Sequence, residues 1–322
     1  MTVTTLSSEL TTDQTAFIEK YYNASVVDVR YLHDDLMILR VKPDDGIPEY
    51  HAGQYVTLGF APFEPRIDGL VPPEQDKLKI IQRAYSISCP LIENGQLMPC
   101  ASLPYVEFYI ALVRLSDEDR LRLTPRLFGL KPGARLHFGH KITGKYVADP
   151  VLPDQNVIFL ATGTGEAPHN AMTAELLAKG HRGNITSLCC VRMKKDVGYL
   201  DAHRQLEELH PRYRYRLLTT REPENLDPQA PGYIGKLYLQ NLFESAQLPE
   251  WLGFDIDPAQ THVFLCGNPD MIGIPSNIMK KTDDEPWQWP EGRGMLQILV
   301  EKGFTLPHGH HGVGNIHFEK YW

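Results

Sequence analysis

Hydrophobic residues in the first half of the chain fall into short runs in which apolar and polar positions alternate. Alternation with a period of two is typical of β-strands that have one buried face. Proline and glycine separate the runs, and no helical repeat lies between them. Between Asn23 and about Val147 the pattern therefore predicts an antiparallel barrel or sandwich, with strands in the segments 24–32, 36–41, 54–60, 83–88, 106–113 and 134–139.

The pattern changes after Asp149-Pro150, where continuous apolar runs alternate with helical repeats. This order indicates a doubly wound α/β domain, in which a parallel sheet carries helices on both faces and ligands bind at the carboxyl ends of the strands. We expect Arg192, Arg221 and Cys266 at that edge, because each follows a predicted strand. The predicted strands are 157–160, 186–191, 215–219 and 262–266, and the predicted helices are 170–180 and 202–210.

A glycine turn, Thr162-Gly-Thr-Gly165, lies between the first of these strands and a helical segment. Backbone N–H groups and the positive end of the helix can face a phosphate or pyrophosphate in such a turn. The turn departs from the full GxGxxG pattern of dinucleotide-binding proteins. A strand-to-helix connection without a ligand is the alternative interpretation.

A second motif, Arg83-Ala-Tyr-Ser86, stands some 80 residues upstream in a predicted strand. A period of two places Arg83 and Tyr85 on one face. Arg83 can bind a pyrophosphate through two hydrogen bonds, Tyr85 can lie against a planar heterocycle, and Ser86 can donate to a ring nitrogen. An ordinary amphipathic strand is the alternative.

The two motifs, in this order, resemble the bacterial branch of the ferredoxin–NADP+ reductase family. Further segments that resemble the family follow in its order: Ala52-Gly-Gln-Tyr, Glu107-Phe-Tyr, Leu123-Thr-Pro-Arg-Leu, Phe264-Leu-Cys-Gly-Asn-Pro-Asp-Met and the terminal Tyr321-Trp322. The resemblance implies a six-stranded FAD-binding barrel over residues 20–149 and an NADP-binding α/β domain over residues 150–322, whose C-terminal tail covers the flavin. We expect residues 1–19 to form a flexible tail.

The resemblance also implies roles for individual residues. Lys236 stands where an arginine is expected, which keeps a positive charge but loses the fork geometry. The resemblance implies that Arg192, Arg221 and Lys236 lie near the 2′-phosphate and so favour NADPH over NADH; surface salt bridging is the alternative role for these three residues. It also implies that Tyr199 packs on the adenine. The flavin contacts are Arg83, Ala84, Tyr85, Ser86, Tyr109, Thr124, Arg126, Tyr321 and Trp322; the nucleotide contacts are Thr162, Gly163, Thr164, Gly165, Arg192, Tyr199, Arg221, Lys236, Gly267 and Asn268; and the residues at the reacting centre are Ser86, Cys266, Tyr321 and Trp322.

The activity that the resemblance implies is FAD-dependent electron transfer between NADPH and a one-electron carrier, ferredoxin or flavodoxin. Five cysteines without CxxC spacing argue against a disulfide framework or a bound iron–sulfur cluster, so the carrier must be a separate protein. The alternatives are an NADH-dependent reductase component of an oxygenase and a nucleotide-binding subunit without catalysis. No metal is expected, because His308, His310 and His311 lack a second ligand cluster.

Composition limits the partners and the location. The length is a prior for two domains, and neither an 18-residue apolar run nor a signal peptide is present, so we expect a cytoplasmic monomer that does not enter a membrane. A net charge of −8 gives no support for nucleic-acid binding and repels an acidic carrier at long range. A local basic patch would reverse that repulsion, and the candidates are Arg120, Arg122, Arg126, Lys131 and Arg135.

Overall fold

The computed structural model describes residues 10–69, 77–113, 122–282, 285–308 and 313–321. The strands in these ranges are β1 (Ala24–His33), β2 (Leu36–Pro43), β3 (Tyr55–Phe60), β4 (Ile81–Ser88), β5 (Leu91–Glu93), β6 (Gln96–Met98), β7 (Val106–Ala111), β8 (Arg135–Phe138), β9 (Asn156–Thr162), β10 (Ile185–Val191), β11 (Tyr213–Thr219), β12 (Thr261–Gly267) and β13 (Ile316–Lys320). The α-helices are α1 (Thr12–Tyr21), α2 (Thr124–Leu127), α3 (Glu166–Ala178), α4 (Leu200–Leu209), α5 (Pro223–Leu226), α6 (Leu239–Glu244), α7 (Leu248–Leu252), α8 (Pro269–Ile272) and α9 (Met295–Glu301).

Six strands of the N-terminal half close into an antiparallel barrel in the order β1-β2-β7-β4-β3-β8. The alternating pattern explains the closure, because one face of each strand is apolar and turns inward. Leu58, Phe108 and Phe138 are among the fully buried side chains of this core. Pairing of β3 with β4 sets Tyr55 opposite Ser86. The barrel predicted for this half of the chain is confirmed.

The C-terminal half forms a five-stranded parallel sheet in the order β11-β10-β9-β12-β13. Successive residues of the central strand β9 point to opposite faces: Phe159 packs in the cluster that includes the barrel, and Leu160 packs in the cluster that includes α6 and α9. Burial on both faces explains the continuous apolar runs. The predicted doubly wound sheet is confirmed, and its edge strand β13 is an addition that the sequence pattern did not reveal.

Helix α1 corrects the prediction of a flexible tail over residues 1–19. Thr11 accepts a hydrogen bond from the backbone of Gln14, whose side chain accepts one from the backbone of Thr11, so the helix begins with a capping box. Phe17 is buried and packs on Phe63. Residues 12–19 are therefore ordered by a cap and an anchor, and residues 1–9 lie outside the described part of the chain.

Several further features bear on the expectations above. Among the helices that the structure describes, none combines the length and apolar composition that a bilayer crossing requires. No group of three or more potential metal ligands is found among the described residues. His308 is described and its ring packs edge-on against Trp287 at 5.5 Å, whereas His310 and His311 lie outside the described ranges.

Candidate functional site

Two adjoining cavities lie where the barrel meets the carboxyl ends of β9, β10 and β12. The first, the barrel pocket, has a volume of about 530 Å³ and is lined mainly by β4, β7 and the chain end. The second, the sheet pocket, has a volume of about 540 Å³ and is lined mainly by the loops after the parallel strands. Ala111 and Thr164 line both cavities, so molecules bound in the two would be neighbours.

All four residues of the Arg83–Ser86 motif line the barrel pocket. Tyr85 is half-buried and packs edge-on against Phe108 at 6.4 Å, and burial raises the pKa of its phenol. The Arg83 guanidinium is exposed and donates to the carbonyl of Gln82 at 2.8 Å. The motif thus offers a cation, an aromatic ring and a hydroxyl to one cavity, as the sequence predicts.

Ser86 meets a residue that the sequence analysis missed. Its Oγ donates a hydrogen bond to Glu319 Oε2 at 3.1 Å, and Glu319 also lines the barrel pocket. Burial raises the pKa of the Glu319 carboxyl, which is half-buried in β13. The available signal was an acidic residue two positions before Tyr321, at the end of the apolar and aromatic segment 316–318.

Two predicted flavin contacts, Thr124 and Arg126, lie in α2, and only one of them lines the barrel pocket. Thr124 lines the barrel pocket, and its Oγ1 accepts the backbone N–H of Val113 at 3.2 Å. Arg126 does not line that pocket. Its side chain is buried, it donates to the carbonyls of Arg122 and Pro62, and burial together with the nearby Arg66 lowers its pKa to about 10. Arg126 thus anchors α2, the helix to which it belongs, to the carbonyl of Pro62, which corrects its assignment as a flavin contact.

The glycine turn has the conformation that its sequence requires. Gly163 has a φ of +54° and, with Thr162 and Thr164, lines the sheet pocket. A Cβ at Gly165 would lie 2.2 Å from the carbonyl oxygen of Cys266. Residues 163–165 form a turn of 3-10 helix that leads into α3. The turn therefore presses directly against β12, and only glycine allows this approach.

The second side of this contact is the end of β12. Gly267 has a φ of +134°, and a Cβ there would lie 2.1 Å from Thr162 Oγ1. That hydroxyl accepts the backbone N–H of Asn268 at 2.7 Å, and the exposed Asn268 lines the sheet pocket. Gly267 itself is buried and lines neither pocket. The turn at residues 162–165 and the end of β12 at residues 267–268 are thus in direct contact, and both contribute residues to the sheet pocket.

Three predicted cations come together in the sheet pocket. Arg192, Arg221 and Lys236 all line it, and all three are exposed. Arg192 follows β10, Arg221 follows β11, and Lys236 lies in the loop before α6, so the three come from segments that are distant in sequence. In a chain with a net charge of −8, such convergence fits an anionic ligand. Among the described residues Arg192 has one ionic contact, with Asp196, whose Oδ2 lies 3.4 Å from Nε of the arginine.

Tyr199 does not occupy the place expected for an adenine partner. It is 3% exposed, its hydroxyl donates to Glu107 Oε1 at 2.9 Å, and its ring packs edge-on against Tyr109 at 5.1 Å. Tyr238, which is 46% exposed, lines the sheet pocket beside Lys236. The prediction for Tyr199 was therefore wrong in position, and the signal for Tyr238 was an aromatic residue two positions after Lys236.

Tyr109 lines the barrel pocket as predicted, although most of the residue is buried. Tyr321 also lines this pocket, and its backbone N–H donates to the carbonyl of Gly267 at 3.1 Å. Trp322 lies outside the described residues. Cys266 is fully buried and lines neither pocket, and burial raises the pKa of its thiol well above the ordinary value. Its contribution is to packing behind the pocket, which corrects its assignment to the reacting centre.

The predicted basic patch does not form a continuous surface. Arg126 is buried, and Arg135 makes a two-pronged ion pair with Asp44. Lys131 is exposed, and Arg122 lines the rim of the barrel pocket. Arg120 lies outside the described residues. Of the described candidates, only Arg122 therefore lines the barrel pocket.

An antiparallel barrel joined to a five-stranded parallel sheet, with a cationic cavity and a glycine turn between them, defines a two-domain nucleotide-dependent oxidoreductase. The family described as "Oxidoreductase NAD-binding domain" matches residues 159–276. The flavodoxin/ferredoxin–NADP reductase of Escherichia coli (strain K12) is 30% identical over 226 residues, which are 69% of this chain and 76% of that protein. The chain belongs to the flavodoxin/ferredoxin–NADP reductase family.

Other relatives agree with this assignment. The ferredoxin–NADP reductase of Pseudomonas aeruginosa is 25% identical over 268 residues, which are 80% of this chain and 88% of that protein. The crystal structure of a ferredoxin NADP+ reductase from Neisseria gonorrhoeae with bound FAD and NADP has a TM-score of 0.66 and 18% identity, and the match covers 94% of this chain and 98% of that one. The latter comparison shows the shared fold.

Proposed function

We propose that this chain is an FAD-dependent reductase that transfers electrons between NADPH and a one-electron carrier protein, ferredoxin or flavodoxin. The observation that carries the proposal is the shared wall of the two cavities at Ala111 and Thr164. Hydride transfer requires donor and acceptor atoms about 3 to 3.5 Å apart in an aligned stack. Cavities that share lining residues place their ligands side by side, as this transfer requires.

The barrel pocket suits a flavin. Arg83 offers two hydrogen bonds to a pyrophosphate, Tyr85 offers a ring to the isoalloxazine, and Thr124 lines the same pocket. Its volume of about 530 Å³ falls in the range of cofactor sites. Bound FAD would supply the chemistry that converts the two-electron transfer of NADPH into single-electron steps. We assign Tyr321, with Trp322 beside it, to cover the ring face.

Ser86 is the proposed hydrogen-bond donor to a ring nitrogen of the flavin. In the structure its hydroxyl proton points to Glu319 Oε2, and rotation about the Cβ–Oγ bond redirects that proton into the pocket. Glu319 holds Ser86 Oγ in place from β13. Because burial raises the pKa of Glu319, its carboxyl also holds a proton at higher pH than an exposed glutamate does.

The sheet pocket suits NADPH. We assign Arg192, Arg221 and Lys236 to the 2′-phosphate and Tyr238 to the adenine, with the turn Thr162–Gly165 at the pyrophosphate. NADH has no 2′-phosphate, so these cations favour NADPH. Lysine at 236 binds as a point charge and gives less geometric selection than arginine would.

The remaining assignments complete the proposal. We place the division between the domains at residues 149 and 150, in the connection between β8 and β9. The carrier docks from outside as a separate protein, with Arg122 and Lys131 as cations near the cleft. We further propose that the protein is a monomer and works in the cytoplasm.

An absorbance spectrum of the purified protein, followed by anaerobic addition of NADPH and separately of NADH, tests this function. We expect flavin bands that bleach rapidly with NADPH and slowly with NADH, and reduced enzyme that passes electrons to flavodoxin or ferredoxin. Equal bleaching by NADH would favour a reductase component of an oxygenase. A protein that cannot be reconstituted with FAD would exclude the proposal.

A further inference from the structure

The loop that follows β10 fastens the parallel-sheet domain to the barrel at the edge of the sheet pocket. It runs from residue 192 to residue 198. Tyr109 Oη, from β7 of the barrel, donates to the carbonyl of Asp196 at 3.1 Å and accepts the backbone N–H of Gly198 at 2.9 Å. Arg30 Nη2, from β1, donates to the carbonyl of Gly198 at 3.3 Å. Two barrel side chains therefore hold the backbone of the loop that carries a phosphate-site cation.

The Asp196 carboxylate lies at the centre of this junction, and its side chain is 12% exposed. Oδ2 accepts the backbone N–H of Met193 at 3.2 Å and lies 3.4 Å from Nε of Arg192. Oδ1 lies 3.2 Å from Nε2 of His33, the last residue of β1. One mostly buried carboxylate thus connects a barrel histidine to an arginine of the sheet pocket.

His33 contacts the carboxylate without donating a hydrogen bond to it. Its Nδ1 accepts the backbone N–H of Asp35 at 3.2 Å. Its buried Nε2 lies 3.2 Å from Asp196 Oδ1 but has no hydrogen-bond partner among the described residues. His33, Asp35, Asp196 and Arg192 all line the sheet pocket.

We propose that Asp196 and His33 are positioning residues for Arg192, and that the barrel sets the preference for NADPH over NADH through them. This inference rests on the proposed function, in which Arg192 binds the 2′-phosphate. Asp196 faces Nε of the guanidinium and leaves its two terminal nitrogens, for which the described residues provide no hydrogen bond or ion pair, to face a phosphate as a fork.

The need for such positioning follows from the exposure of Arg192. Its side chain is 60% exposed, and a free arginine loses rotamer freedom when it binds a ligand. A carboxylate that accepts the backbone N–H of Met193 and packs against His33 restricts the guanidinium before the nucleotide arrives. Preorganisation lowers the cost of binding and acts only on the group that Arg192 contacts. The effect is therefore confined to the nucleotide that carries a 2′-phosphate.

The test compares KM for NADPH and for NADH in the FAD-loaded enzyme for Asp196→Ala, His33→Ala, Arg192→Ala and the double variant Arg192→Ala with Asp196→Ala. Asp196→Ala is expected to raise KM for NADPH by about fivefold or more while KM for NADH stays within about twofold. His33→Ala changes KM in the same direction by less. In the Arg192→Ala background, loss of Asp196 has no further effect, because it acts through Arg192.

Two further variants keep the outcome interpretable. Asp201→Ala removes an exposed carboxylate at the start of α4 and controls for the loss of one negative charge near the pocket; its KM values are expected to match the parent's. His33→Gln keeps a side-chain N–H donor and is expected to retain most of the preference, which provides a second measurement if His33→Ala does not fold.

Each outcome decides one statement. A fall in KM for NADPH in Asp196→Ala would show that the carboxylate competes with the phosphate and would overturn the positioning role. If Asp196→Ala raises KM for NADPH by the same factor in the Arg192→Ala background, the effect arises from a disturbed loop and the positioning role is overturned. If Arg192→Ala alone leaves the preference unchanged, the phosphate site of the proposed function is misplaced. A normal Arg192 effect with unaffected Asp196 and His33 variants would overturn only this inference.

Discussion

Ser86 Oγ donates a hydrogen bond to Glu319 Oε2 at 3.1 Å, between residues that are 233 positions apart in the chain. Ser86 lies in β4 of the barrel and Glu319 in β13, at the edge of the parallel sheet. The bond therefore crosses between the two halves of the molecule, and it does so inside the barrel pocket. Any ligand that binds there meets a serine whose hydroxyl is already oriented from the other domain.

Replacing Ser86 tests its role at the flavin. We expect Ser86→Ala to retain FAD and to lower the rate of flavin reduction by NADPH by about tenfold, because one hydrogen bond of about 1.4 kcal/mol is lost in the reacting complex. Stopped-flow absorbance measures this rate. Ser102→Ala, at an exposed site away from both pockets, is the control. Unchanged reduction kinetics in Ser86→Ala would remove the proposed role.

Glu319 gives a prediction about pH. Its pKa in the folded protein is raised above the ordinary value of 4.5, mainly by burial, so its contribution to stability is present below pH 4.5 and is lost as the pH rises through the raised pKa. Glu319→Gln removes this loss. The melting temperature of the variant should therefore increase relative to the parent as the pH rises above 4.5 and through the raised pKa of Glu319. Glu250→Gln, at an exposed position, should show no such trend.

Lys236 gives a prediction about nucleotide preference. Lys236→Ala should raise KM for NADPH roughly tenfold and leave KM for NADH nearly unchanged, because a charge-assisted contact to the 2′-phosphate is lost. Lys236→Arg should sharpen the preference by adding fork geometry. Steady-state kinetics with both nucleotides measure this. Lys302→Ala, which removes an exposed lysine outside the sheet pocket, is the control. If it raises KM for NADPH by the same factor, the effect of Lys236→Ala reflects the net charge of the protein and not a contact with the 2′-phosphate.

Tyr238 gives the complementary prediction. If its ring packs on the adenine, Tyr238→Ala should raise KM for NADPH and NADH by a similar factor of about fivefold, whereas Tyr238→Phe should resemble the parent. Tyr199→Phe, which removes the buried hydroxyl that contacts Glu107, should instead lower stability with little effect on either KM. The reverse pattern would restore Tyr199 as the adenine partner.

Gly165 gives a prediction about stability. A Cβ there would lie 2.2 Å from the carbonyl oxygen of Cys266, so Gly165→Ala must displace the turn from β12. We expect the free energy of unfolding to fall by about 2 kcal/mol or more. Thermal unfolding and NADP+ binding measure the two consequences. Gly292→Ala is the matched control, because a Cβ at Gly292 meets no atom within 4 Å. Similar melting temperatures for the two variants would contradict the close contact.

The sequence by itself determined the two-domain architecture and the motifs at the cleft. Alternating polarity is a local property of β4 and β7, and burial on both faces leaves its mark directly on β9. The Arg83–Ser86 motif and the glycine turn were recognisable because each needs particular residue types at short spacing. Arg192 and Arg221 were found because they follow strands of a parallel sheet, whose carboxyl ends meet at one edge, whereas Lys236 was found from the family resemblance.

Only the tertiary structure decided which side chains face the ligand. Tyr199 and Tyr238 are both tyrosines near predicted cations, and burial against Tyr109 separates them. Arg126 resembles a surface cation in sequence, but in α2 its side chain is buried and donates to the carbonyl of Pro62. Glu319 was recognised as a site residue only from its hydrogen bond with Ser86 in the barrel. Exposure and long-range pairing depend on contacts between distant segments, which local composition does not encode, so these assignments required the folded chain.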